Sequence, residues 1–244
     1  MLAHQATKGN THMPILGIAT IAESPRDDVV PAMRAFFPND LTIVEAGCLD
    51  GLSREEIDAL APEEGEVGVV ARLKTGGSTL LSHTKILPRM QKVVDSLISN
   101  QGADLVLIVC GADWSDIKAS KMVINPGRVF PGVVSALAHG QKLGIIKPSE
   151  GQVQKERERY QGLGIDAVVT SASPYAGEER LELARKAAEE LRQADCDLIW
   201  MTCIGMDSAM RDIVAGITGK PVILAHALLA RVTSELIPQS NKVA

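Results

Sequence analysis

Residues 197–210, DLIWMTCIGMDSAM, run from an apolar stretch into the start of a helix, with Cys203 at the join. An earlier stretch repeats the frame. In DLVLIVCGAD (104–113), Asp104 opens an apolar run and Cys110 closes it, at the same offset that separates Asp197 from Cys203. A helical pattern ends just before each Asp, in NQGA and RQADC. Each half also begins with a matching apolar strand, ILGIAT (15–20) or LGIIKP (143–148), followed by a helix whose first turn carries Ser and an acid. The chain therefore reads as a duplicated α/β half. The first copy is longer by about one short helix and a hairpin.

The other segments fit this frame. PILGIAT (14–20) reads as a strand, and 24–37 as a helix with Ser24 as its cap and Pro25 in its first position. LTIVEAG (41–47) is a strand, and Ser53–Glu56 form a capping box that starts a short helix. Alternating segments on either side of Thr75-Gly76-Gly77-Ser78 predict a hairpin over 66–84, and 86–102 an amphipathic helix. In the second half, strands are predicted at 142–148, 166–175, 197–203 and 220–226. Helices are predicted at 149–164, 177–194, 207–219 and 227–237, the first opened by a Ser149/Gln152 capping box. Strands and helices that alternate so regularly predict an α/β fold of two pseudo-symmetric lobes, each a parallel sheet flanked by helices. A ligand cleft is expected between the lobes.

Composition narrows the function classes. Apolar residues make up 45% of the 244, charged residues 23% and aromatics only 3%, so the core is built from aliphatic side chains, as parallel sheets prefer. The net charge is −5 with no basic stripe, which argues against a nucleic-acid partner. No apolar run approaches the ~20 residues that span a bilayer. MLAHQATKGNTHMP lacks a signal peptide's apolar segment, so 1–13 is expected to be a disordered tail and the chain cytoplasmic. The four cysteines (48, 110, 196, 203) form no CxxC, and the five histidines (4, 12, 83, 139, 226) show no zinc spacing, so no metal is expected. Gly162 and Gly164 do not make a dinucleotide fingerprint, and no phosphate-binding loop motif occurs.

Ligands of parallel α/β sheets bind beyond the carboxyl ends of the strands, where both Cys110 and Cys203 fall. Related by a pseudo-twofold axis, the two thiols would face each other across the cleft. One could remove a proton from a carbon while the other delivers one to the opposite face, inverting the centre without a cofactor. Cys203 precedes a helix that Asp207 or Ser208 can cap, so its thiol is expected to be acidified towards neutrality. The competing reading is packing, because cysteine is among the most buried residue types. Cys48 and Cys196 are read as structural. Thr20 and Ser24 after the first strand, and Lys147, Ser149 and Gln152 after its counterpart, are expected to rim the cleft and hold an anion. Ser171 and Ser173 read as turn residues; Asp113 either orients Cys110 or caps a turn.

The paired strand–Cys halves resemble the aspartate/glutamate racemase superfamily, which includes cofactor-independent amino-acid racemases, hydantoin racemase, arylmalonate decarboxylase and maleate isomerase. GLSREEIDALAPEEGE (51–66), NQGADLVLIVC (100–110) and TCIGMDSAMRDIV (202–214) are similar more narrowly to its AroM family, over Pro14 to Ile237. The resemblance implies a first lobe of 14–130 plus 226–244, carrying the helix and hairpin insertion around 53–84, and a second lobe of 131–225. It implies a small anionic or cyclic substrate, no cofactor, and a homodimer or larger assembly. Superfamily racemases follow their cysteines with Asn-Thr and with Thr. Here Gly111-Ala112 and Ile204-Gly205 hold those substrate-facing positions, so the usual carboxylate clamp is missing. Three functions follow: a two-thiol racemase or epimerase, a decarboxylase or cis–trans isomerase using Cys203 alone, and a metabolite binder without turnover.

Overall fold

The computed structural model describes residues 14–66 and 68–237. The tail expected at 1–13 and the last residues assigned to the first lobe, 238–244, lie outside them. The first half contains β1 (Ile15–Thr20), α1 (Val30–Arg34), β2 (Thr42–Gly47), α2 (Arg54–Asp58), β3 (Val69–Arg72), β4 (Ser78–Leu81), α3 (His83–Ser99), β5 (Leu105–Ile108), β6 (Met122–Ile124) and α4 (Pro126–Leu137). The second contains β7 (Leu143–Lys147), α5 (Val153–Gly162), β8 (Ala167–Ser171), α6 (Arg180–Gln193), β9 (Leu198–Met201), α7 (Ser208–Thr218), β10 (Val222–Leu224) and α8 (Ala225–Ser234). Two parallel sheets form, ordered β2-β1-β5-β6 and β8-β7-β9-β10, and β3-β4 is a separate antiparallel hairpin. Position by position, the two orders are the same. The fold is α/β with two pseudo-symmetric lobes.

The repeated Asp has a structural explanation. The Asp104 amide donates to the Ile15 carbonyl (2.9 Å), and its carboxylate accepts from the Ile15 amide (3.1 Å). Asp197 does the same to Lys142, at 2.8 and 2.9 Å. Each Asp thus fixes the register of its strand against the first strand of its sheet. The LGI repeat is also steric. A Cβ on Gly17 would lie 2.9 Å from the Ala103 Cβ, and one on Gly144 2.7 Å from the Ile199 Cδ1, so both glycines admit the close packing of the sheet's outer layer.

Alternation divides the core. Leu16, Ile18, Leu107, Leu143, Ile145 and Trp200 point into one apolar cluster shared by both lobes and by α1, α4, α5 and α8. The opposite faces pack on α3 in the first lobe and on α6 and α7 in the second. Phe130 of α4 meets Trp200 of β9 edge-on at 4.9 Å between ring centroids, while α8 packs on α1, with Arg231 over the Phe36 ring. A large side chain buried this way contributes roughly 1.5–3 kcal/mol, against about 0–1 kcal/mol for an exposed ion pair. Packing therefore fixes how the lobes meet.

Two sequence expectations need correction, and one stretch without an expectation forms two elements. The helix expected at 24–37 begins only at Val30. Ser24 does not cap it; its hydroxyl donates to Asp50, and the Ser24–Pro25 bond is cis. The chain turns away there because Arg26 is drawn inward to Asp28 and Thr20, and its amide to Glu45. The Ser149/Gln152 capping box does not form: residues 150–152 make a 3-10 turn without a side-chain cap, and the Gln152 side chain donates through Nε2 to the Gly68 carbonyl instead. Finally, β6 and α4 occupy a stretch the sequence reading left unassigned. Asn125 caps α4 by accepting from the Gly127 amide at 3.1 Å, with Pro126 in its first turn. Among the described residues no helix is long and apolar enough to cross a membrane.

Candidate active site

The two strand-end cysteines line one cavity of about 510 Å³. Each sits just beyond its strand, where the backbone amide two residues on, Ala112 or Gly205, favours the ionised sulfur. Cys110 is 8% exposed and Cys203 partly exposed. Burial pushes the Cys110 thiol up to about 11; the Ala112 amide opposes this, while the nearby Cys203 adds to it. Burial also pushes the Cys203 thiol up, against the Gly205 amide, the Arg26 charge, the Tyr175 hydroxyl and Lys147. The acidified Cys203 expected from the sequence is therefore not what the fold produces. The helix that follows starts five residues later, and the Asp207 carboxylate caps it by accepting from the Met210 amide at 2.8 Å, so the dipole is spent on a fixed anion.

The rest of the cavity joins both lobes. Gly111, Ala112, Lys147, Gln152 and Ile204, all singled out from the sequence, line it. Thr20, Ser24, Ser149 and Gly205 do not. Thr20 is fully buried and accepts from the Arg26 Nη1 at 2.9 Å. Ser24 is tied to Asp50, at 2.7 Å through its amide. Ser149 lines a neighbouring cavity of about 360 Å³, with Ser171 and Ser173. Gly205 lies directly beneath the Tyr175 hydroxyl. Asp113 caps a turn, accepting from the Ser115 amide at 3.0 Å and from Asn125 at 2.8 Å, which together with Ser115 holds its carboxyl below the usual range despite partial burial. Ser173 likewise accepts from the Tyr175 amide (3.2 Å), as a turn residue would.

Several lining residues were not foreseen. Arg26 is 3% exposed and donates twice to Asp28, at 2.8 and 2.9 Å, and to the Tyr175 hydroxyl at 3.4 Å. Burial works against its charge, but the Asp28 bonds and the fields of Tyr175, Asp28 and Cys203 outweigh it and hold the guanidinium protonated. Lys147, Lys155 and Arg159 form a cationic wall around Glu156, with Lys147 at 3.4 Å and Arg159 at 3.7 Å from its carboxylate. In a chain of net charge −5 this is a local concentration of positive charge. The Gln152 Oε1 is buried with no hydrogen-bond partner among the described residues. Both tyrosines, one of the two tryptophans and one of the three phenylalanines line the same cavity. The only signal for this in the sequence was the scarcity of aromatics elsewhere.

Other groups support the site without lining it. His226, in the first turn of α8, lies against the turn at 204–206; its buried Nδ1 has no hydrogen-bond partner among the described residues, and burial holds its imidazole below the ordinary range. Cys48 and Cys196 are buried, with thiols pushed up by burial. Among the described residues no group of three or more His, Cys, Asp or Glu is placed to hold a metal ion.

The fold has known relatives. Allantoin racemase from Klebsiella pneumoniae superposes with a TM-score of 0.57 at 12% identity, over 95% of this chain and 96% of that one. Glutamate racemase from Francisella tularensis gives 0.58 at 13%, over 92% and 81%. An arylmalonate decarboxylase gives 0.53 at 14%, over 92% of each chain. At such identities the likeness is one of fold. No curated protein is similar in sequence at a significant level. The sequence profile described as AroM protein matches residues 16–237, nearly the whole chain. The profile covers well over half of the chain, so the chain belongs to the AroM family, and its two lobes share the fold of the racemases named above.

Proposed function

We propose that the protein is a cofactor-independent racemase or epimerase acting at the α-carbon of a small carboxylate or cyclic imide, with Cys203 and Cys110 as its acid–base pair. The observation that carries this reading is that two thiols from equivalent strand ends open onto one cavity, close enough for Cys203 to perturb Cys110. One sulfur, as thiolate, takes the α-proton; the other, as thiol, protonates the opposite face of the carbanion; the two sulfurs leave the cycle with their protonation states exchanged. Lys147, Lys155 and Arg159 would hold the anionic group. The unpartnered Gln152 Oε1 suits a ring N–H, which favours an imide among the candidate substrates.

A one-thiol decarboxylase or cis–trans isomerase using Cys203 alone is the second reading. It is favoured by the extra groups around that sulfur (Tyr175, Arg26 and Lys147) and by the near-complete burial of Cys110. The test is α-proton exchange in D2O, followed by NMR across chiral amino acids, hydroxy acids, malonates and hydantoins, for the wild type and Cys203→Ala. Exchange lost in the variant is the expected result. No exchange by the wild type over the whole panel, with ligand-dependent stabilisation retained, would replace this reading with a metabolite binder.

A further inference from the structure

The two thiols occupy equivalent places, yet their surroundings differ at one position that the sheet register identifies. Thr20 pairs with Gly47 in the first sheet, and Lys147 with Ser171 in the second. Carried along the chain, Gly51 of the first lobe corresponds to Tyr175 of the second. Gly51 has a φ of +74° and an open surround, and it brings no side chain towards Cys110. Tyr175 turns inward onto Gly205, so closely that a Cβ there would collide with its hydroxyl.

That hydroxyl has two neighbours. On one side, over Gly205 and in the same cavity, stands the Cys203 sulfur, near enough for the hydroxyl to favour its ionised form. On the other, the Arg26 Nη2 reaches it at 3.4 Å from the opposite lobe. Arg26 cannot swing away, because Asp28 holds it through two nitrogens and Thr20 through a third, and Arg72 of the hairpin sits 3.7 Å from the same Asp28. Near Cys110 stands the Trp114 indole, but its N–H donates to the Cys110 carbonyl at 3.3 Å, and among the described residues no cation is hydrogen-bonded to that indole.

We propose that Tyr175 is the positioning residue that makes the two thiols unequal: its hydroxyl, backed by Arg26, donates to Cys203 and directs the negative charge to that sulfur rather than to Cys110. A hydrogen bond to an ionised sulfur is stronger than one to a thiol, and a cation polarising the donor strengthens it further. The duplicated fold supplies two identical sulfurs, and Arg26–Tyr175 settles which of them rests as the base.

The assignment of a base rests on the thiol chemistry proposed above, but its test needs no substrate. Iodoacetamide alkylation of the whole protein would be followed against pH, with the Cys203 and Cys110 peptides quantified separately by mass spectrometry. Tyr175→Phe keeps the ring on Gly205 and removes only the hydroxyl. The expected result is a Cys203 profile moved upward by about one pH unit, a roughly tenfold slower alkylation at neutral pH, with the Cys110 profile unmoved. Arg26→Lys, which retains the cation, should move Cys203 less than Tyr175→Phe does. An unchanged Cys203 profile in Tyr175→Phe, or equal movement of both cysteines as a packing defect would cause, overturns the proposal. Were the profiles as expected but α-proton exchange absent, the racemase reading alone would fall.

Discussion

The turns that follow Cys110 and Cys203 leave equivalent strand ends and are finished differently. After Cys203, the chain passes through Ile204-Gly205-Met206 directly into α7, capped by Asp207, and His226 of α8 lies against that turn. After Cys110 there is no helix: Asp113, Ser115 and Asn125 tie the loop into β6 through side-chain hydrogen bonds. Val106 pairs with Val123 and Ile199 with Val222, so Gly127 is the counterpart of His226. A Cβ at Gly127 would run into the backbone of Ala112 and Asp113. One turn is pressed against its helix by a missing side chain, and the other has a buried histidine packed against it. The two halves share the strand-end sulfur and differ in what surrounds it.

The sharpest way to break this comparison is to remove each sulfur in turn. Cys203→Ala is expected to lower α-proton exchange on the order of 10²–10⁴-fold, and in a two-thiol mechanism Cys110→Ala should lower racemisation by a similar factor. Racemisation or decarboxylation that survives Cys110→Ala would instead establish Cys203 as sufficient. The pH profile is the next test. Because burial raises both thiols, the base form is scarce at neutral pH, so kcat/KM should climb with pH as one sulfur ionises. It should then fall near 11 as the partner loses the proton it must deliver, a limb that belongs to the coupled pair. A profile that stays flat to high pH in stopped assays would count against paired thiols.

Two stability comparisons probe the duplicated frame itself. Gly17→Ala and Gly144→Ala both overpack the outer layer, at about 1–3 kcal/mol. Gly17→Ala should cost more, because its obstacle is the immovable Ala103 Cβ, whereas Gly144 meets the flexible tip of Ile199. Urea midpoints in the reverse order would show that the first lobe relaxes more easily. The smallest effect is expected from Asp104→Asn and Asp197→Asn, each weakening one strand-register bond by about 1 kcal/mol. A loss in only one of them, seen in thermal melts, would deny the equivalence of the two clamps.

Much of the frame is visible in local pattern. The Asp–strand–Cys offset, the LGI strands, the Ser53/Glu56 box and the hairpin at 75–78 are all set by neighbours in the chain, and each forms within a few residues of its expected place. The β6–α4 segment was missed although Asn125-Pro126 is a usable helix start, because its strand is only three residues long and gives no periodicity. The rim residues fared unevenly: Lys147 and Gln152 reach the cavity, whereas Thr20 and Ser24 are captured by Arg26 and Asp50, partners that local pattern does not reveal.

From the sequence alone follow the duplication, the alternating α/β order and the placing of two cysteines at strand ends, since these depend on periodicity and on contacts along one chain segment. The tertiary structure decided the rest. Arg26 and Tyr175 lie in different lobes and meet at Cys203 only because a shared apolar core holds the two sheets face to face. The thiols' acidity was decided there too, because burial, which no local motif records, outweighs the amides and the cation that favour their ionised forms.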